Sequence, residues 1–187
     1  MIGSAFAGFP AGLLSDAHAE VENFVFERLG GMMREQGYSA NEVEAVLCMG
    51  PTQIYLVPKQ LEAVRAFAAL PESAALAAAN KRVGNILKKV EGGINGEVNK
   101  ALLLESAEQA LHQALCLIAP RADVAFAAGD YTSSLQALAA LREPVDAFFD
   151  SVMVNSEDLA LRANRLALLA QLHTAMNQVA DLSRLAS

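Results

Sequence analysis

The chain has 187 residues, a formal net charge of −7 at pH 7, 53% hydrophobic side chains and only 6% aromatic ones. That length suits one domain able to bury about 70% of its unfolded surface without metals or disulfides, and a composition led by alanine and leucine favours helices over sheets. No apolar run approaches the ~18 residues of a membrane span, and MIGSAFAGFPAGLL lacks the basic start of a signal peptide, so a soluble, cytoplasmic protein is expected.

Residues 1–14, with Gly3, Gly8, Pro10 and Gly12, read as a terminal loop, and residues 15–187 as one helical domain. Beyond Asp16, Val21, Phe24, Val25, Leu29 and Met32 recur at helical spacing and predict one apolar face of a helix ending near Gly37. A shorter helix follows over about 40–49, with Val43, Val46 and Leu47 inward and Gly50-Pro51 as its stop. Pro58 and Pro71 each suit a first helical position, where no N–H is needed. The second of those helices runs to about Lys89. EGGINGEVNK then predicts a flexible loop over 90–99.

Leu104 to about Ala128 has a helical pattern, expected to break or kink near Pro120. Gly129 and Asp130 read as a C′ glycine and an N-cap, opening a helix through Leu141. Pro144 starts the next helix in PVDAFFDSVMV. Asn155, with Asp158 three residues on, is the predicted cap of the last one. Leu161, Leu168, Leu169, Leu172, Met176 and Val179 form its apolar stripe. No useful period-2 segment occurs, so the predicted fold class is all-α, a bundle of about seven or eight helices.

Charge is unevenly spread. Residues 59–100 carry seven basic and four acidic side chains and form the only net positive segment. At its centre lies LAAANKRVGNILKK. On a helical wheel Lys81, Arg82, Asn85, Lys88 and Lys89 oppose Leu76, Ala79, Val83, Ile86 and Leu87. A solvated face usually interleaves both signs; this one is wholly basic or amide. Physics alone leaves two readings open, an ordinary surface and a nucleic-acid contact.

VNSEDLALRANRLALL places Arg162 and Arg165 one turn apart, with Asn164 beside them. These are candidates for phosphate or base contacts. For Arg165, at the start of an apolar stripe, a structural pair with Asp146 or Asp150 of the preceding helix is the favoured reading.

Signs of catalysis are missing. His18, His112 and His173 stand far apart, with no second ligand expected one turn away, and predict no metal site. Cys48 and Cys116 read as reduced, buried small hydrophobes without a nearby histidine. GxxxxGK[ST], GxGxxG and GxSxG do not occur, and GGING lacks the strand–helix setting of a phosphate cradle.

Three longer strings carry more information: ALPESAALAAANKRVGNILKK, ALAALREPVDAFFDSVMVNSEDLALRANRLALLAQL and QVADLSRL. They resemble the C-terminal region of bacterial glycyl-tRNA synthetase beta subunits, and the resemblance runs from about Pro10 to Leu185. It implies an all-helical anticodon-binding domain of the DALR type, similar to those of arginyl- and cysteinyl-tRNA synthetases. Beta subunits of that family are several times longer, so this chain is expected to be a C-terminal piece whose Met1 was supplied or chosen. The family's enzyme is a heterotetramer of two alpha and two beta subunits that ligates glycine to tRNA(Gly). Alpha activates glycine with ATP and Mg²⁺; beta supplies most of the tRNA recognition.

The resemblance therefore implies tRNA(Gly) and the alpha subunit as partners, with no cofactor in this piece. Its motif positions fall on Asn80, Lys81, Arg82, Asn85, Lys88, Arg162, Asn164 and Arg165, and Lys89 joins them on the basic stripe. Tyr131 or phenylalanines are expected to stack on splayed loop bases. The alternative is a structural or subunit-interaction module whose basic stripe is incidental. Three features depart from the family pattern: Asn155 at a usually apolar position, Gly84 within the basic helix, and a polar HTAMNQ segment near the end.

Overall fold

The computed structural model describes residues 18–90 and 97–186. Among these residues there are eight α-helices, joined by loops and short 3₁₀ turns, and no strand. The helices are α1 (His18–Glu35), α2 (Ala40–Leu47), α3 (Val57–Ala68), α4 (Ser73–Leu87), α5 (Ser106–Ala127), α6 (Tyr131–Leu138), α7 (Arg142–Ser151) and α8 (Leu159–Met176). The all-α expectation holds. The loop read over 1–14 lies outside the described residues, as do 91–96 of the loop read over 90–99.

α6 packs on α5 and α3, α7 on α5 and α4, and α4 on α8 and the C-terminal turn Leu182–Leu185. Phe67, Leu111, Leu135, Phe148, Leu168 and Leu172 are fully buried in the shared interior. Burying each such side chain contributes roughly 1.5–3 kcal/mol relative to leaving it exposed. Arg65 ties α3 to the α1–α2 corner: its guanidinium lies 4.0 Å from the Tyr38 ring and donates to Gly37 O (2.6 Å) and Glu42 Oε1 (3.3 Å).

Local signals set the ends of the helices. Ser39 and Glu42 form a reciprocal capping box at α2. Gly129 has φ +73° after α5, a conformation that suits glycine, and the Asp130 side chain then accepts from Ser133 N to begin α6. α8 is capped by Asp158, whose Oδ1 accepts from Ala160 N and Leu161 N, rather than by Asn155. The predicted start was early because 155–158 remain irregular.

α5 runs unbroken through Pro120. The proline is exposed, so water can satisfy the carbonyl its missing N–H leaves unpaired. In α1 only part of the predicted face is buried. Leu29 is buried as predicted and Val25 half-buried, while Val21, Phe24 and Met32 are exposed and the neighbouring Met33 is buried instead. The helix packs chiefly on α2, which covers only its later turns. Cys48 and Cys116 are exposed rather than buried, and no helix among the described residues is long and apolar enough to cross a membrane.

Candidate nucleic-acid interface

α4 divides its surface as its sequence predicts. Leu76, Ala77, Ala79 and Val83 are buried, while Lys81, Arg82 and Asn85 are exposed. Lys88 caps the helix and Lys89 follows it, both exposed. Among the described residues no ion pair engages Lys81, Arg82, Lys88 or Lys89. Arg82 is held in another way: its guanidinium sits 4.1 Å from the centre of the Phe149 ring on α7. The pair at 88–89 lies at the negative, C-terminal end of the helix dipole.

Three candidates belong to the interior. Asn80 is fully buried and exchanges two amide hydrogen bonds with Asn177 (2.9 and 3.0 Å). Asn164 accepts from Asn99 N (2.7 Å) and donates to Asn99 O (3.1 Å), pinning the segment that enters α5. Arg165 donates to Glu108 Oε1 (2.6 Å) and Met153 O (2.9 Å). It is structural, as the sequence favoured, but its partner comes from α5. Asp146 instead faces Arg142 at 3.5 Å. Arg162 is exposed in the first turn of α8, outside the hollows that border the α4 stripe.

Tyr131 is also unavailable for stacking. It is buried, with the Phe126 ring 5.4 Å away. His112 does have a neighbour one turn on, since its Nε2 lies 3.6 Å from Cys116 Sγ; the sequence reading overlooked that i,i+4 pair.

The stripe borders two hollows. The shallower, about 410 Å³, is lined by Ala78, Lys81, Arg82, Asn85, Ile86 and Lys89. The larger is a cleft of about 590 Å³ between α4 and the chain's end. α4 contributes Lys81, Gly84, Asn85 and Lys88 to it; α8 and the segment beyond it contribute His173, Asn177, Asp181 and Arg184. Burial holds the His173 imidazole pKa below its ordinary value; Lys88 lowers it further and Asp181 opposes the shift. Burial would raise the Asp181 pKa, but Ser183 and Arg184 outweigh it and keep the carboxylate ionised. Ser183 Oγ donates to Asp181 (2.6 Å), so no serine–histidine pair forms here. Sequence reasoning missed the far wall of the cleft, although the unusual polarity of HTAMNQ was the available signal.

Among the described residues the protein is thus a helical bundle whose α4 carries a basic ridge free of ion pairs beside a polar cleft. Residues 76–182 match the DALR anticodon binding domain, and the chain belongs to that family. Over all 187 residues it is 66% identical to a glycine--tRNA ligase beta subunit of Thiobacillus denitrificans, covering 100% of this chain and 27% of the relative. Proteins of the same description from Dechloromonas aromatica (64% over 171 residues) and Janthinobacterium sp. strain Marseille (63% over 176) cover 91% and 94% of the chain. The chain spans about a quarter of the length of these curated relatives.

Proposed function

We propose that this chain is the non-catalytic, RNA-gripping part of a glycine–tRNA ligase beta subunit, holding the anticodon arm of tRNA(Gly) with the basic face of α4. The observation that carries this reading is the set Lys81, Arg82, Lys88 and Lys89, exposed and free of ion pairs among the described residues. Lysine and arginine contacts to phosphate position an RNA without reading its sequence. In this account glycine activation with ATP and Mg²⁺ belongs to an alpha subunit, the two subunits working together in the cytoplasm. Footprinting tRNA(Gly) on the ligase with and without this domain tests it: protection lost only in the anticodon arm supports the proposal, and an unchanged footprint refutes it.

A second reading, a subunit-interaction module, draws on the other side of the bundle. An apolar groove of about 440 Å³ lies between α5 and α8, and α5 exposes Leu117 (58%) and Val124 (72%). Undiminished aminoacylation after charge reversal across the α4 face would favour that reading.

A further inference from the structure

α1 is 18 residues long, about 27 Å, and α2, on which it chiefly packs, has 8 residues, about 12 Å. α2 can therefore lie along less than half of it, and every residue from Ala19 to Phe24 is exposed. On the helical wheel the residues turned to the body, Phe26, Leu29, Gly30 and Met33, fill an arc of about 100°. Val21, Phe24, Val25 and Met32 fill the adjoining arc of similar width. Phe24 is 63% exposed, Met32 47% and Val21 39%. Single exposed hydrophobes are ordinary on a protein surface, but four that share one arc form a continuous strip.

The strip has one charge inside it. Arg28 falls between Phe24 and Val21 on the wheel, is exposed, and among the described residues takes part in no ion pair. A surface that covers the strip must be apolar and offer one guanidinium an acceptor, a carboxylate or a backbone carbonyl. The first turns also need support. Helices shorter than about 12–15 residues are marginal in water unless an apolar face is packed, and here that face is bare. Four side chains are few beside the ~1,200–2,000 Å² that a stable complex of separate proteins buries. A segment of the same polypeptide needs less, because the link holds it at a roughly millimolar effective concentration. The chain spans about a quarter of its curated relatives and matches their C-terminal part, so the rest of such a subunit precedes α1.

From this we infer that α1 is a docking helix: its strip of Val21, Phe24, Val25 and Met32 packs against the part of the beta subunit that precedes this chain, with Arg28 bonded to an acceptor there. The inference rests on reading the chain as a piece of a beta subunit and is independent of any RNA contact on α4. α1 also lies outside residues 76–182, which match the family. With α2 on one side and the preceding part on the other, α1 fixes where the α4 face stands relative to the rest of the subunit.

The test follows hydrogen exchange of the amides of residues 22–28, the first to be bonded within α1, in two proteins. One is the 187-residue chain alone; the other is the Thiobacillus denitrificans beta subunit with its matching part replaced by this chain. Phe24→Asp and Arg28→Ala are made in both, and circular dichroism checks the fold. In the chain alone the amides are expected to exchange rapidly at every protein concentration. In the subunit they should exchange about tenfold more slowly or better, the scale of burying one large apolar side chain. Phe24→Asp should restore rapid exchange in the subunit and leave the chain alone unchanged, while Arg28→Ala gives up part of the protection. Equal exchange in the two proteins, or protection that survives Phe24→Asp, overturns the inference. So does protection in the chain alone, where its own first residues or a second copy would be the cover, and so does protection that appears only when an alpha subunit is added. If the chimeric subunit with an alpha subunit charges no tRNA(Gly), the beta-subunit reading falls and the inference falls with it.

Discussion

Arg165 Nε lies 2.6 Å from Glu108 Oε1, and both side chains are buried. The other Glu108 oxygen accepts from the Glu105 backbone N–H at 2.8 Å, closing the cap of α5. One carboxylate thus joins the start of α5 to the middle of α8. Arg165→Ala leaves that carboxylate buried and uncompensated, and the expected loss is about 3–5 kcal/mol in urea unfolding. Arg165→Met combined with Glu108→Leu should recover most of it. Equal losses in the single and double variants would contradict the pairing.

Asn80 predicts a different pattern. Removing it leaves Asn177 Oδ1 without the donor that bonds it at 2.9 Å, so Asn80→Ala should cost about 1–3 kcal/mol in thermal or urea unfolding. RNA affinity measured well below the unfolding transition should change little, because the side chain is internal. A stability-neutral variant with tenfold weaker RNA binding would move Asn80 back to the surface role its sequence position suggested.

Gly84→Ala should raise stability. The new methyl sits in ordinary contact with His173 at 3.5 Å, and the gain in helix propensity is about 0.5–1 kcal/mol. A lower unfolding midpoint would show that α4 and His173 are packed more tightly than that distance indicates.

His173 makes stability depend on pH. Its pKa is lowered in the folded state, chiefly by burial, so on acidification the unfolded chain takes up the proton first. Stability is then fully present above the unfolded value of about 6.5 and declines as pH falls through the window below it. Urea midpoints collected at about pH 5.5 to 7.5 should rise with pH, and His173→Gln should flatten that rise. The lowered carboxylate pKa values of Glu42 and Asp181 act in a more acid range. An equal slope in the variant would assign the dependence to another group.

The helices and the α4 stripe were legible because both are local periodicities. Leu76 and Val83 on one side and Lys81 and Lys88 on the other follow from a 3.6-residue repeat alone. Partner choice was not legible. Arg165 bonds Glu108, 57 residues away in sequence, rather than the aspartates of the neighbouring helix, since such pairings are decided by tertiary packing. The same holds for Asn80 with Asn177 and Asn164 with Asn99, where an amide that looks like a surface contact serves as internal glue. α1 was legible only in part for a further reason: its apolar residues surround more of the helix than α2 covers, so periodicity placed Leu29 inward but not Met33.

The salt dependence of RNA binding tests the central claim most directly. Each phosphate neutralised contributes about −0.7 to −0.9 to the slope of log K against log salt. Engagement by the basic face of α4 should give the wild-type protein a slope of roughly −3 on an anticodon-arm hairpin. In Lys81→Glu/Lys88→Glu/Lys89→Glu, which leaves the Arg82–Phe149 contact in place, binding should collapse with the helical circular dichroism intact. A flat salt dependence, or a triple variant that binds like the wild type, would contradict the account.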